Sequence, residues 1–157
     1  MTRHWFFGPA TILCSILLPC SALAKEAGQI KVAKGSANVQ RDGQTLAATP
    51  GMKVQSADVL VTGADGSIGV TFLDNSLVST GPNSVFAIDK FVFDSTTHAG
   101  SFDGSLKRGT LAAVSGKMVR QAPESMRIRT PASIMGVRGT EFVVHVEDPA
   151  TDPAKRP

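Results

Sequence analysis

From Gln29 onward, apolar and polar residues alternate with period two in short runs, and turn residues separate the runs. Successive side chains of a β-strand point to opposite faces, so this rhythm predicts strands with one buried face. Gln29-Ile-Lys-Val-Ala33 and Ala37-Asn-Val-Gln-Arg41 flank Lys34-Gly-Ser36, a connection of hairpin length whose glycine supplies positive φ, and Asp42-Gly43 marks the next turn. Ile68, Val70 and Phe72 share one face, Gly69 and Thr71 the other. In Val85-Phe-Ala-Ile-Asp-Lys-Phe-Val-Phe93 both parities are apolar before Asp89, which predicts a strand covered on both sides. Glu141-Phe-Val-Val-His-Val146 alternates well enough to be a last strand, and Val114, Ile128, Ile134, Val137, Phe142 and Val144 join the expected core. No window of a dozen residues carries apolar positions at helical spacing. The chain reads as all-β.

Asp65-Gly-Ser-Ile68, Asp74-Asn-Ser-Leu77 and Pro82-Asn-Ser-Val85 each put a turn-forming triplet before an apolar residue. Each unit is one turn plus one strand, and two units make a coil of about 17 or 18 residues, near the lower end of stacked-repeat periods. Short strands in a solenoid-like β stack are one architecture this supports; a β-sandwich or meander is the other, and the residues leave both open. The aspartates invite a calcium reading. The sequence has neither an EF-hand loop nor a Gly-Gly-x-Gly-x-Asp repeat, so turn chemistry accounts for them.

Ahead of the strands, Met1-Thr-Arg-His4 is a basic head, followed by an apolar run from Trp5 and by Ala22-Leu-Ala24. The run is broken by Gly8, Pro9 and Pro19 and falls short of the roughly 18 to 20 residues a membrane span needs. Residues 1–24 therefore read as a signal peptide removed on export, with no membrane span left after cleavage. Cys14 and Cys20 both fall inside it, so the mature chain, 157 − 24 = 133 residues, has no thiol chemistry. That length suits one domain with a modest core, assigned to residues 25–146. Residues 147–157 hold three prolines and almost no apolar bulk and are expected to be a disordered tail. Phe72, Phe86, Phe91, Phe93, Phe102 and Phe142 supply the mature aromatic content. None joins the basic and aromatic rhythm of nucleic-acid binders, so no nucleic-acid partner is expected.

The stretch Thr130-Pro-Ala-Ser-Ile-Met-Gly-Val-Arg-Gly-Thr-Glu-Phe142 is the least generic. Pro131 fixes φ, and Gly136 and Gly139 permit backbone closed to other residues, which predicts two tight bends around Arg138 and ahead of Thr140. Arg138 is then either an exposed contact for an anionic ligand or, the reading favoured by its glycine neighbours, a plug that satisfies loop carbonyls with its five-donor fork. This stretch resembles the closing motif of FecR-type domains, the extracytoplasmic module named after the ferric-citrate signalling regulator. Ala57-Asp-Val-Leu-Val-Thr-Gly-Ala-Asp-Gly-Ser67 is similar to the family's Gly-Asp-x-Ile-x-Thr-Gly segment, with Ala57 where the family usually has glycine, and Gly109-Thr-Leu-Ala-Ala-Val-Ser-Gly116 is similar to its later glycine-bounded strand. The resemblance favours the solenoid-like stack and implies envelope signalling. The family's regulators carry a cytoplasmic sigma-factor-binding part and a membrane helix before this domain. Neither is expected here, so direct control of a sigma factor is not expected of this polypeptide.

Charge is uneven along the chain. Between Ser101 and Thr140, Lys107, Arg108, Lys117, Arg120, Arg127, Arg129 and Arg138 face only Asp103 and Glu124, giving 7 − 2 = +5. Either this is a solvated strand face or Lys107, Arg108, Lys117, Arg120, Arg127 and Arg129 form a patch for an envelope protein or an anionic glycan or lipid. His98 sits in the polar loop Asp94-Ser-Thr-Thr-His-Ala-Gly100, and His145 lacks partners at metal-ligand spacing, so no metal or cofactor is expected. Nucleophile-elbow, zinc-protease and phosphate-loop motifs are missing, and Ser133 with His145 and an aspartate makes a triad only on paper. These readings converge on a non-enzymatic periplasmic binding or sensing module; the alternative is an envelope scaffold assembled through sheet edges.

Overall fold

The longest strand, β9 (Gly100–Val114), ties the protein together in this computed structural model, which describes residues 25–139 and 141–147. The expected signal peptide, the expected tail from residue 148 onward and Thr140 lie outside the described residues. Before β9 come β1 (Glu26–Lys34), β2 (Ala37–Arg41), β3 (Gln44–Ala47), β4 (Lys53–Gln55), β5 (Val59–Thr62), β6 (Ser67–Phe72), β7 (Leu77–Thr80) and β8 (Val85–Phe93). After it come one short helix, α1 (Lys117–Gln121), then β10 (Met126–Arg129), β11 (Ile134–Gly136) and β12 (Glu141–Val146). The all-β class is as expected. The strands form a curled half-barrel in the order β3-β2-β5-β8-β9-β7-β6-β1-β4, with β10 and β12 also on β9 and β11 on β10. Every pairing is antiparallel except that of β10 with β9.

Two layers result because β9 changes layer at its middle. Its first half pairs with β8 and β10, its second half with β7 and β12. The change happens at a bulge around Lys107 and Arg108, after which the buried parity shifts from Phe102, Gly104 and Leu106 to Gly109, Leu111 and Ala113. Gly109 has φ of 87°, and a Cβ there would come within 2.5 Å of Ser84 Cα, so only glycine fits this corner. The turn triplets serve the same architecture. Asp74-Asn-Ser closes the β6–β7 hairpin, whereas the turns at Asp65 and Asn83 pass the chain from one layer to the other.

The core lies between the layers. Phe72, Phe91 and Phe102 form a trio with ring centroids 4.5 to 5.7 Å apart, each ring contributing roughly 1.5 to 3 kcal/mol by burial. Ile68, Val70 and Phe72 point inward as their alternation predicts. In β8 the expectation of two covered faces holds only up to Ile88, where Phe86, Ala87 and Ile88 are all buried. Beyond it a register shift between Ile88 and Lys90 turns the inward parity to Phe91 and Phe93 and leaves Val92 exposed. Two core candidates are corrected. Ile134 is 68% exposed because Met135 and Val137 are the inward residues of β11 and its exit, and Val114 is 37% exposed because Ala113 takes the inward place at the end of β9.

Among the described residues two carboxylates are buried, Asp58 and Asp74, and Asp58 is the one paired with an arginine. Asp58, 1% exposed, accepts hydrogen bonds from Arg41 Nε at 2.7 Å, Arg41 Nη2 at 2.6 Å and the Gln55 N–H at 2.9 Å, and so joins β2 to the turn before β5. The carboxylate raises the Arg41 pKa by direct hydrogen bonding. Just before it, Ala57 has φ of 73°. Among the described residues the other non-glycine positions with positive φ are Asp42, Asn75, Asn83 and His98, types that tolerate the left-handed region better than alanine does.

Candidate functional site

Asp74 and Ser76 begin the site from the inside. The buried Asp74 carboxylate accepts the Ser76 N–H at 3.0 Å and its hydroxyl at 2.6 Å; Ser76 Oγ in turn accepts the Gly116 N–H at 2.9 Å, and Asp74 O accepts the Lys117 N–H at 2.8 Å. A turn read as mere punctuation thus holds the start of α1. Helix α1 buries Met118 and Val119 and presents Lys117 and Arg120 to solvent. Five residues are too few for a helical period to be visible in the sequence.

On the other side, the Thr130 to Phe142 stretch forms the β10–β11 hairpin and its exit. The Pro131 bend is real: the Thr130 N–H donates to Ser133 O at 2.8 Å, closing the hairpin tip. Gly136 is no bend. It lies within β11 opposite Arg127, and a Cβ there would meet nothing within 4 Å. The second bend falls at Gly139, with φ of 156°, where Ser115 Oγ donates to Gly139 O. The carbonyl-plug reading of Arg138 is overturned. Val137 is the buried residue here, its N–H donating to Met126 O at 3.0 Å, and its neighbour therefore points outward with a side chain 74% exposed. Arg138 Nη2 donates to Glu124 Oε1 instead, and this bond, ahead of the charge attraction, lowers the Glu124 pKa and raises that of Arg138.

Between these walls opens a cleft of about 550 Å³ lined by Ser115, Val119, Arg120, Pro123, Glu124 and Arg138. Its lining is mostly apolar with two guanidinium groups and one carboxylate, a set suited to an acidic group carried on an apolar body. The residues of the expected basic patch come from three places in the fold. Lys107 and Arg108 sit at the β9 bulge, Arg108 half-buried; Lys117 and Arg120 sit on α1. Arg127 and Arg129 face outward on β10, beside Asp103 and Ser105 of β9. Glu124 was missed as a site residue, although its place as one of only two acids in a strongly basic segment was the available signal. Ser133 and His145 line a common groove of about 420 Å³, yet their groups are engaged elsewhere, Ser133 Oγ with Thr130 Oγ1 at 3.1 Å and His145 Nδ1 with Thr110 Oγ1 at 2.9 Å.

Among the described residues no helix is long and apolar enough to cross a membrane, and no group of three or more His, Cys, Asp or Glu could hold a metal ion. The family model described as FecR protein matches residues 58–153, well over half of the chain. The match starts at Asp58, so β1 to β4 precede it, although β1, β2 and β4 are integral to the sheet. No curated protein matches the chain, and neither does any solved structure.

Proposed function

The chain belongs to the FecR family, a family of envelope-signalling modules, and from that premise we propose that it is a non-enzymatic periplasmic binding module whose contact is the Arg120–Arg138 cleft. The convergence of the two arginines on one apolar-lined cleft carries this reading. An acidic group of an envelope protein would take the place of Glu124 on Arg138 while Val119 and Pro123 receive the apolar part beside it. Glu124 then acts as a built-in competitor that keeps Arg138 positioned when no partner is present.

A crosslinked pull-down from the periplasm supplies the partner, and its affinity is then followed against salt. Binding is expected to fall between low and physiological ionic strength, where the screening length is about 8 Å. It is expected to weaken with Arg120→Glu or Arg138→Glu and to strengthen with Glu124→Gln. Binding indifferent to salt and to all three changes refutes the cleft as the contact. Export is checked separately by intact mass in the envelope fraction: loss of residues 1–24 is expected, and with Trp5 gone and no tyrosine present the mature protein has almost no absorbance near 280 nm. A full-length mass held in the membrane would make that segment an anchor.

A further inference from the structure

Strand β12 is an edge: among the described residues it pairs only with β9, and grooves of about 240 and 420 Å³ open along it, one touching Glu141 and Phe142, the other Val144 to Glu147. Its outward residues are Glu141, Val143 and His145, all exposed, and Val143 is 65% so; its inward residues Phe142, Val144 and Val146 are only half covered. An unprotected edge of this kind is a template for another strand.

The sequence of β12 says which strand. In an antiparallel pair, residues directly opposite share a face, and a self-pairing centred on Val143 sets Glu141 opposite His145, Phe142 opposite Val144 and Val143 opposite itself. The carboxylate and the imidazole meet twice, once at each end, on the outer face; the apolar pair meets twice on the inner face. Shifting the register by one residue puts Phe142 opposite His145 and sends unlike faces together. His145 is prepared for this contact, since Thr110 holds its Nδ1 and leaves Nε2 to a partner. The outer row Val32, Gly69, Ser79, Ala112 and Val143, in which every member pairs with the next, would run on unbroken into the second molecule.

We propose that two copies of this chain associate antiparallel along β12 about a twofold axis at Val143, with Glu141 of each copy facing His145 of the other. The smaller groove shares Arg138 and Gly139 with the Arg120–Arg138 cleft, but among the described residues no part of β12 lines that cleft, so the proposal goes beyond the function proposed above. An interface made of one strand pair is small, below the roughly 1,200 Å² of standard complexes, so the dimer is transient.

The test uses protein purified from the envelope and sedimentation velocity over a concentration series to about 1 mM. Wild type is expected to show reversible dimerisation. His145→Glu opposes two carboxylates and Glu141→Lys removes the acceptor, so each variant alone is expected to associate at least about tenfold more weakly. Mixed together, the two variants place the introduced lysine of one against the introduced glutamate of the other and leave the native pair at the other end, and are expected to form a heterodimer tighter than either homodimer. Melting temperatures equal to wild type confirm that both variants are folded. A wild-type chain monomeric throughout, or a mixture no tighter than its components, overturns the proposal; so does a monomer whose β12 edge takes up only strands of another protein.

Discussion

Replacing Ala57 by glycine isolates a single backbone term. Ala57 is held at φ of 73° by its N–H, which donates to Ile88 O at 2.7 Å, and by the fixed Asp58 beside it. The methyl group is exposed, so removing it uncovers no core. An L-residue in the left-handed region costs about 1 to 2 kcal/mol relative to the right-handed one, and glycine is spared that cost. Against this, glycine gains freedom in the unfolded chain worth about 0.4 to 1 kcal/mol. The difference leaves Ala57→Gly more stable by about 0.5 to 1 kcal/mol, a rise of roughly 2 to 4 °C in Tm for a domain of this size. Thermal unfolding by far-UV circular dichroism measures it, and urea unfolding should show a higher midpoint at unchanged slope. Ala57→Val, branched at Cβ, should fall in the opposite direction. An unchanged or lower Tm for the glycine variant would refute the argument that this turn is strained. A gain would also account for the glycine that related domains usually carry at this position.

Asp58→Ala should cost about 2 to 4 kcal/mol, somewhat below the range for a fully buried pair because the Arg41 side chain keeps 23% exposure, and the joint replacement Arg41→Met with Asp58→Leu should recover most of it in the same thermal assay. Gly109→Ala combines positive φ with a Cβ pressed on the Ser84 backbone and should lose at least about 2 kcal/mol, read as a lower urea midpoint. Arg138→Lys should leave Tm unchanged, since the side chain is exposed and its partner Glu124 is exposed too; a clear loss would revive the buried-plug reading.

Local alternation was legible wherever one strand kept one parity, as in β6. It failed where a bulge shifted the parity: nothing in Ile-Asp-Lys-Phe announces that β8 turns over after Ile88, because a bulge is a relation between two strands. Gly109 was a visible trace of the other bulge. The basic segment was legible only as a sum of charge, for a related reason. Linear charge summed residues that the fold sends to a bulge, a helix and a strand face, and it did not show that Arg120 and Arg138 line one cleft. The closing motif was legible as a constraint but not in its detail, since its glycines suggested where the chain bends and not that Val137, rather than Arg138, faces the core.

The central place of β9 governs when the protein can fold. Synthesis runs from the first residue, yet β7 and β8, though complete by residue 93, each have one neighbour until β9 arrives as the second for both. The layers cannot be joined before residue 114, and most of the pairing is between segments far apart in the chain, the regime of slow, late assembly. A polypeptide cut short before β9 is therefore expected to show no cooperative unfolding transition. For a chain exported as proposed above, this delay is useful: the two layers stay unjoined, and the chain threadable through a narrow channel, until residue 114 of 157 has passed.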